Sequence, residues 1–254
     1  MKNPEPVYDI RELTRSNYHI HTFLSRCGKP EMTPENIIRA AEAAGLREIA
    51  LTDHIHPGET WKLPRNLPLL REKLENIPHT VKIYIGAELS AYGAENFTLK
   101  NAPEKPEYCL YAHNHYHMFG WEQPEDTSAN GYKEHCKKVL QTVIQSGKAD
   151  CLAHPFNDYY IVREFAETKG FRPGDIAGLW SENELGDLLT LGKQHGVAWE
   201  INAVSCRQAP ELTKKYWSIG KEVGASFRFG TDAHTLKDIY PTEEIAFLSE
   251  LLSE

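Results

Sequence analysis

Histidines recur in this chain at short spacings that suit metal binding. The stretch SNYHIHTFLSRCGKP places His19 and His21 one residue apart, directly after an apolar segment. Alternate residues of a strand point to the same side, so both imidazoles are expected to face one point in space. Imidazole is the commonest protein ligand for metals. The pair therefore indicates a bound ion rather than two isolated polar groups.

Acidic residues and further histidines follow the other strand-like segments in the same way. The chain reads TDHIH, GAELS, HNHYH, AHPF, EINAVSCR and GTDAH at these points, which supply Asp53, His54, His56, Glu88, His113, His115, His117, His154, Glu200, Asp232 and His234. One such residue alone is usually a surface group, and TDH or TDAH alone is consistent with turn chemistry. Seven coincidences at corresponding positions favour a metal centre.

The elements that position these residues alternate between strands and helices. Strands are predicted at 18–21, 48–52, 82–87, 108–112, 151–153, 197–201 and 226–229. Between them, Thr33, Pro34 and Gly45 carry the signals of a helix start and stop, and Ser181 and Glu184 are spaced as a capping box. This α/β alternation predicts a parallel sheet, and the length of 254 residues favours a barrel. Barrel active sites lie at the carboxyl ends of the strands, where these ligands are found.

The ligand types narrow the metal and the reaction. Imidazoles mixed with carboxylates suit Zn²⁺, Mn²⁺ or Fe²⁺ better than Ca²⁺ or Mg²⁺. The candidates are too numerous for one ion, so we expect two or three divalent ions that share a bridging carboxylate. Such a cluster activates water and neutralises a phosphate group, which predicts hydrolysis of a phosphate ester.

Composition restricts the partners and the compartment. The net charge of −8 argues against a nucleic-acid surface built on bulk basicity. The chain has no apolar run of 18 residues, and its N-terminus is polar, so neither a membrane span nor a signal peptide is predicted. Five cysteines without CxxC spacing fit reduced thiols in the cytoplasm. The sequence gives no indication of an oligomer interface.

In their order along the chain, these motifs resemble those of the PHP (polymerase and histidinol phosphatase) family. The similarity runs through His-x-His, TDH, GAE, AHP and GTDAH, over residues 17–234. The resemblance implies a single domain over residues 1–254, folded as a distorted seven-stranded (βα)7 TIM-like barrel with a trinuclear metal centre at the C-terminal face. It also implies a phosphatase that acts on a small phosphorylated substrate, of which histidinol phosphate is the most specific candidate.

Carried over by motif, the resemblance implies a role for each ligand. One ion would be held by His19, His21, Glu88 and Asp232. Glu88 would bridge to a second ion that is also held by His154 and by His113 or His115, with a slight preference for His115. His54 and His234 would hold the third ion. His117 would contact substrate or have no role.

The third site departs from the family pattern. Three-metal members carry a histidine six residues after the His-x-His pair, and Cys27 stands there in this chain. Its thiolate could bind zinc. Alternatively, the third site is weaker or empty, with His56 as a substitute ligand, or the thiol is uninvolved.

Our mechanistic hypothesis is that a metal-activated hydroxide would attack phosphorus, and that activity would require Asp232 and Glu88. His234, if it is not coordinated, would assist departure of the alcohol, and Arg207 would bind the phosphate bidentately. A surface arginine paired with Glu211 is the alternative for Arg207. Two other functions fit the same ligands: a phosphodiesterase directed at nucleotides, and a non-catalytic metal-binding PHP domain.

Overall fold

A computed structural model describes residues 5–102 and 105–253 of the chain as one parallel sheet surrounded by helices. The described strands are β1 Ser16–Ile20, β2 Glu48–Leu51, β3 His54–Ile55, β4 Lys82–Ser90, β5 Tyr108–Ala112, β6 Cys151–Leu152, β7 Ala198–Asn202 and β8 Phe227–Gly230. They follow the order β1-β2-β4-β5-β6-β7-β8, and the short β3 pairs with the end of β4. The seven predicted strands are all present. The predicted single domain over residues 1–254 includes residues 1–4, 103–104 and 254, which lie outside the described residues.

The sheet curves until its first and last strands meet. Beyond the end of β8, the Ala233 amide donates to the His19 carbonyl (3.1 Å), and the His21 amide donates to the Ala233 carbonyl (2.9 Å). These bonds join β1 to the segment that follows β8. The predicted distorted, seven-stranded α/β barrel is confirmed, with β3 as an addition too short for a sequence pattern to reveal.

Helices cover the outside of the barrel. They are α1 Ile10–Leu13, α2 Pro34–Ala43, α3 Leu63–Glu75, α4 Ala129–Gln145, α5 Tyr159–Lys169, α6 Glu182–His195, α7 Ala203–Gln208, α8 Pro210–Val223 and α9 Thr242–Leu252, with 3₁₀ turns at Thr60–Lys62, Ala177–Leu179 and Leu236–Ile239. Thr33 caps α2, and Ser181 and Glu184 form the predicted capping box of α6. Across the described residues, every helix is too short or too polar to span a bilayer.

Residues alternate between the barrel interior and the helix layer. On β5, Tyr108, Leu110 and Ala112 pack inside the barrel, whereas Cys109 and Tyr111 join the core beneath the helices. Near the starts of the strands, the buried guanidinium of Arg228 lies 4.2 Å from the centre of the Tyr18 ring. The interior is therefore filled by side chains, and buried histidines and carboxylates converge near the carboxyl ends of the strands.

Candidate metal centre

The first strand reaches the centre through an irregularity. Its pairing with β2 changes register between Asn17 and Ile20, which is typical of a β-bulge. Tyr18 packs inside the barrel, and the next residue, His19, also turns inward. The predicted convergence of the pair is present, because His19 Nε2 and His21 Nε2 lie 3.2 Å apart.

Four side chains from three strand ends form the first group of potential ligands: His19, His21, Glu88 and Asp232. One atom of each lies within 4.8 Å of the others. Asp232 Oδ1 is 2.9 Å from His21 Nε2 and 3.2 Å from His19 Nε2. Glu88 Oε2 is 3.4 Å from each of the same two nitrogens. This spacing suits a single ion held between two imidazoles and two carboxylates.

The other oxygen of Glu88 faces a second group, which comprises Glu88, His115 and His154. Glu88 Oε1 is 3.5 Å from His154 Nε2 and 3.9 Å from His115 Nε2. One carboxylate thus lies between two sets of imidazoles, as a bridging ligand would.

A third group combines His21, Cys27, His54 and His234. Burial raises the pKa of the Cys27 thiol, but hydrogen bonds with His234 and His54 outweigh this effect and lower that pKa to about 6. His54 also lies beside Glu88, with Nδ1 2.7 Å from Oε2, and it forms a further group with His56 and His115. The three groups are therefore contiguous.

Glu200 supports the centre from behind. Its Oε1 lies 2.8 Å from His19 Nδ1, and its Oε2 accepts a hydrogen bond from the His154 amide (2.5 Å). A partner of this kind orients a metal-binding imidazole. Gly230 is required opposite, because a Cβ there would lie 1.9 Å from Glu200 Oε1. The sequence placed Glu200 on the correct face without revealing this role.

Asp53 has a structural role in the loop after β1. Its carboxylate accepts hydrogen bonds from the Thr22 amide (2.7 Å), the Thr22 hydroxyl (2.6 Å) and the Ser25 hydroxyl (2.8 Å). This is the turn chemistry considered for TDH. Asp53 therefore fixes the loop that carries Cys27.

Two of the candidate ligands have unusual backbone conformations. His154 and Asp232 have positive φ values of 34° and 53°. Such conformations are uncommon for residues other than glycine, and they concentrate at functional sites where the surrounding structure imposes them. Each lies two residues beyond the end of a barrel strand, His154 after β6 and Asp232 after β8.

The electrostatics and hydrogen bonding of the centre fit a bound cation. Glu88 is 2 % exposed, and neither of its oxygens has a hydrogen-bond partner, although imidazole nitrogens surround them. Burial raises the pKa of Glu88, but His54 and His19 outweigh this effect and hold it well below its ordinary value. A buried carboxylate without aligned donors is costly unless a positive charge accompanies it. Nitrogen and oxygen donors in this arrangement fit Zn²⁺, Mn²⁺ or Fe²⁺.

Three predicted site residues lie apart from these groups. His113 is buried, its Nδ1 has no hydrogen-bond partner, and burial lowers its pKa to about 3. His117 is exposed and makes an edge contact with the His115 ring. Arg207 lies on α7 with its guanidinium over the Phe247 ring (4.9 Å) and 4.0 Å from Glu244 Oε1. The structure thus gives no support to Arg207 as a phosphate ligand, and its carboxylate neighbour is Glu244 rather than Glu211.

Comparisons with known proteins agree with this architecture. A family model described as the PHP domain matches residues 17–178. A protein from Aliivibrio fischeri named "Probable phosphatase" is 28% identical over 232 residues, which cover 87% of this chain and 78% of that protein. The crystal structure of histidinol phosphate phosphatase from Lactococcus lactis, complexed with zinc, L-histidinol and phosphate, matches with a TM-score of 0.59 and 19% identity, covering 93% of each chain. This last likeness supports the fold.

Proposed function

Because this chain belongs to the PHP domain family, as its motifs predicted, we propose that it is a metal-dependent phosphatase for a small phosphomonoester. The observation that carries the proposal is the position of Glu88, whose two oxygens face separate groups of imidazoles. Adjacent metal sites that share a carboxylate are suited to phosphate ester hydrolysis. The phosphatase named in Aliivibrio fischeri is consistent with this class.

We assign the ligands by the three groups described above. The first ion would be held by His19, His21, Glu88 and Asp232, the second by Glu88, His115 and His154, and the third by Cys27, His54 and His234. His115 is preferred to His113 because only His115 joins a group of potential ligands among the described residues. Zinc, manganese and iron all suit the first two groups. The zinc in the Lactococcus lactis structure makes zinc the first metal to test.

The chain's own residues prepare the centre for hydrolysis. Bound ions would lower the pKa of a coordinated water and neutralise charge on the phosphate. Glu200 orients the His19 ring and fixes the backbone of His154 before substrate binds. His234 lies at the rim with 29% of its side chain exposed, and if the third position held no ion it would instead donate a proton to the departing alcohol.

Histidinol phosphate is the first candidate substrate. The matching Lactococcus lactis enzyme was crystallised with L-histidinol and phosphate, and its fold extends over 93% of this chain. Arg207 has no part in our proposal for phosphate binding, because it is exposed and packs on α9.

Phosphate release from a panel of esters tests this proposal. The protein would be reconstituted with Zn²⁺ or Mn²⁺ and assayed against histidinol phosphate, other phosphomonoesters and nucleotides that include diesters. Turnover of a monoester that Asp232→Ala abolishes and Asp187→Ala preserves is the expected result, since Asp187 is exposed on the outer helix α6. Hydrolysis of nucleotide diesters alone would favour a phosphodiesterase. No turnover by protein shown to contain metal would favour a non-catalytic domain.

We also propose a cytoplasmic location. All five cysteines are free thiols, and Cys109, Cys136, Cys151 and Cys206 are buried. This pattern is typical of proteins in a reducing compartment. Localisation of a tagged, full-length chain in fractionated cells would test it.

A further inference from the structure

We propose that the group formed by Cys27, His54 and His234 is a zinc-selective site, chemically distinct from the two neighbouring sites. The inference rests on the metal centre of the proposed function and concerns which ion each part of that centre prefers. It predicts that the centre binds different metals when both zinc and manganese are available.

The ligand atoms of this group are already close together. One atom from each of Cys27, His54 and His234 lies, with one from His21, within a set no more than 4.8 Å across. The Nε2 atom of His21 is directed toward Asp232 in the first group. One sulfur and two imidazole nitrogens therefore remain for the third position. The other four cysteines are buried, whereas Cys27 is exposed at the mouth of the centre.

The loop around Cys27 is attached to both histidine-bearing segments. On its N-terminal side, the Ser25 hydroxyl accepts a hydrogen bond from the His54 amide (3.2 Å). On its C-terminal side, the Lys29 amide donates to the His234 carbonyl (3.1 Å). Gly28 permits the tight turn between them, because a Cβ there would lie 2.1 Å from the Thr22 carbonyl oxygen. The sulfur is thus held beside the two imidazoles by the backbone, independently of any ion.

The donor atoms determine the metal preference. Thiolate sulfur is a soft ligand that selects zinc, whereas manganese prefers carboxylate, carbonyl and water oxygens. The first two groups contain only imidazole nitrogens and carboxylate oxygens, so they accept either metal. We infer that manganese in excess replaces zinc at the first two positions and leaves zinc at the third.

Cobalt spectroscopy tests the sulfur ligand directly, because a thiolate bound to Co²⁺ gives a charge-transfer band in the near ultraviolet. Wild-type protein titrated with Co²⁺ should develop this band. Cys27→Ser should lose this band. It should also bind zinc at the third position more than about tenfold more weakly, since even an outer partner of a metal ligand contributes about 10- to 100-fold to affinity. Cys27→His should also lose the band but retain the third ion.

Metal competition provides the second measurement. After dialysis against excess Mn²⁺ with limiting Zn²⁺, the wild type should retain about one zinc ion per chain, as measured by elemental analysis. Cys27→His should retain less zinc than the wild type under the same conditions. Cobalt-loaded wild type without the band would overturn the proposal, as would an unchanged band in Cys27→Ser or complete loss of zinc from the wild type in the competition. Circular dichroism of each variant confirms that the exposed substitution leaves the fold intact.

These outcomes are separable from those of the phosphatase assay. A cobalt band without turnover would support the thiolate site and contradict the proposed function. Turnover without a cobalt band would support the function and contradict the thiolate site.

Discussion

Two glutamates on neighbouring strands of this barrel have opposite surroundings. Glu48 begins β2, and its Oε2 accepts hydrogen bonds from the hydroxyls of Tyr18 (2.5 Å) and Tyr84 (3.2 Å). Lys82 lies 3.4 Å from its other oxygen. Glu88, near the end of β4, has five histidines around it, and neither of its oxygens has a hydrogen-bond partner.

The difference indicates what each carboxylate does. Glu48 is satisfied within the protein, in keeping with the structural role of the N-terminal face of such barrels. Glu88 is buried and surrounded by nitrogens that approach without hydrogen-bond alignment, which is the environment of a metal ligand. The orientation of the donors, more than their number, separates the structural site from the functional one.

The largest expected effect is at Glu88. The substitution Glu88→Gln should reduce kcat/KM by at least about 1,000-fold, because metal stabilisation of transition-state charge is worth several kcal/mol and each 1.4 kcal/mol is tenfold in rate. It should also reduce bound metal, as measured by elemental analysis. The metal-free variant should unfold below the temperature of metal-free wild type, because His54 and His19 lose the buried carboxylate whose pKa they lower. A variant that kept near-normal metal content and turnover would contradict our account of Glu88.

Glu200→Gln should have an intermediate effect. Its oxygens position His19 and the His154 backbone rather than an ion, so metal affinity and activity should fall by about 10- to 100-fold. Higher zinc concentration should restore part of the activity, which distinguishes a positioning residue from a lost ligand. Titration of activity against free zinc would show this shift, and full activity at low zinc would rule out the role.

Glu48→Gln should lower stability and leave activity nearly unchanged, whereas Glu88→Gln acts mainly on activity. Activity per folded molecule should stay within about twofold of the wild type, while the free energy of unfolding falls by about 1 kcal/mol, the contribution of partly solvated hydrogen bonds to a charged group. Chemical denaturation and steady-state kinetics on the same samples would measure both quantities. A large loss of kcat with normal stability would remove the distinction between the two glutamates.

The contribution of Glu48 should also depend on pH. Burial raises its pKa, but the hydroxyl of Tyr18 and the charge of Lys82 outweigh this effect and hold the pKa below its ordinary value of 4.5. A carboxyl group whose pKa is lowered by folding stabilises the protein above the unfolded pKa and loses that effect as the pH falls through the folded value. The stability difference between wild type and Glu48→Gln should therefore be full near about pH 7 and shrink near about pH 3. A stability difference between wild type and Glu48→Gln that increased at acidic pH would contradict a lowered pKa for Glu48.

The smallest expected effect is at Arg207. Its guanidinium packs on Phe247 outside the metal centre, so Arg207→Ala should change kcat/KM by less than about twofold and stability by about 0.5 kcal/mol. The KM for the phosphorylated substrate provides the decisive reading. A rise of tenfold or more would restore Arg207 as a phosphate-binding residue and would require α7 to rearrange on binding.

Much of the metal centre could be predicted from local patterns alone. Strand-like segments alternate with helices, and parallel strands place their carboxyl ends at one face, so residues that follow each strand must converge. This reasoning brought together His19, His54, Glu88, His154 and Asp232 without coordinates. The helix caps at Thr33 and Ser181 were equally predictable, because they depend only on neighbours in the chain.

The histidines after β5 could not be separated in this way. Residues of β5 with the parity of His113 and His115 point toward the helices, so a continued strand would direct both imidazoles away from the centre. The strand ends at Ala112, and the backbone that follows brings His115, but not His113, into a group of ligands. The course of the chain beyond a strand depends on contacts that strand periodicity does not encode.

The sequence by itself therefore determined the family, the barrel and the face at which the ligands meet, because these follow from spacing along the chain. Only the tertiary structure decided that Glu88 lies between two groups, that Glu200 supports His19, that Cys27 lies beside His54 and His234, and that Arg207 packs on Phe247. Each of these depends on side chains far apart in the sequence, whose directions are set by packing of the whole barrel.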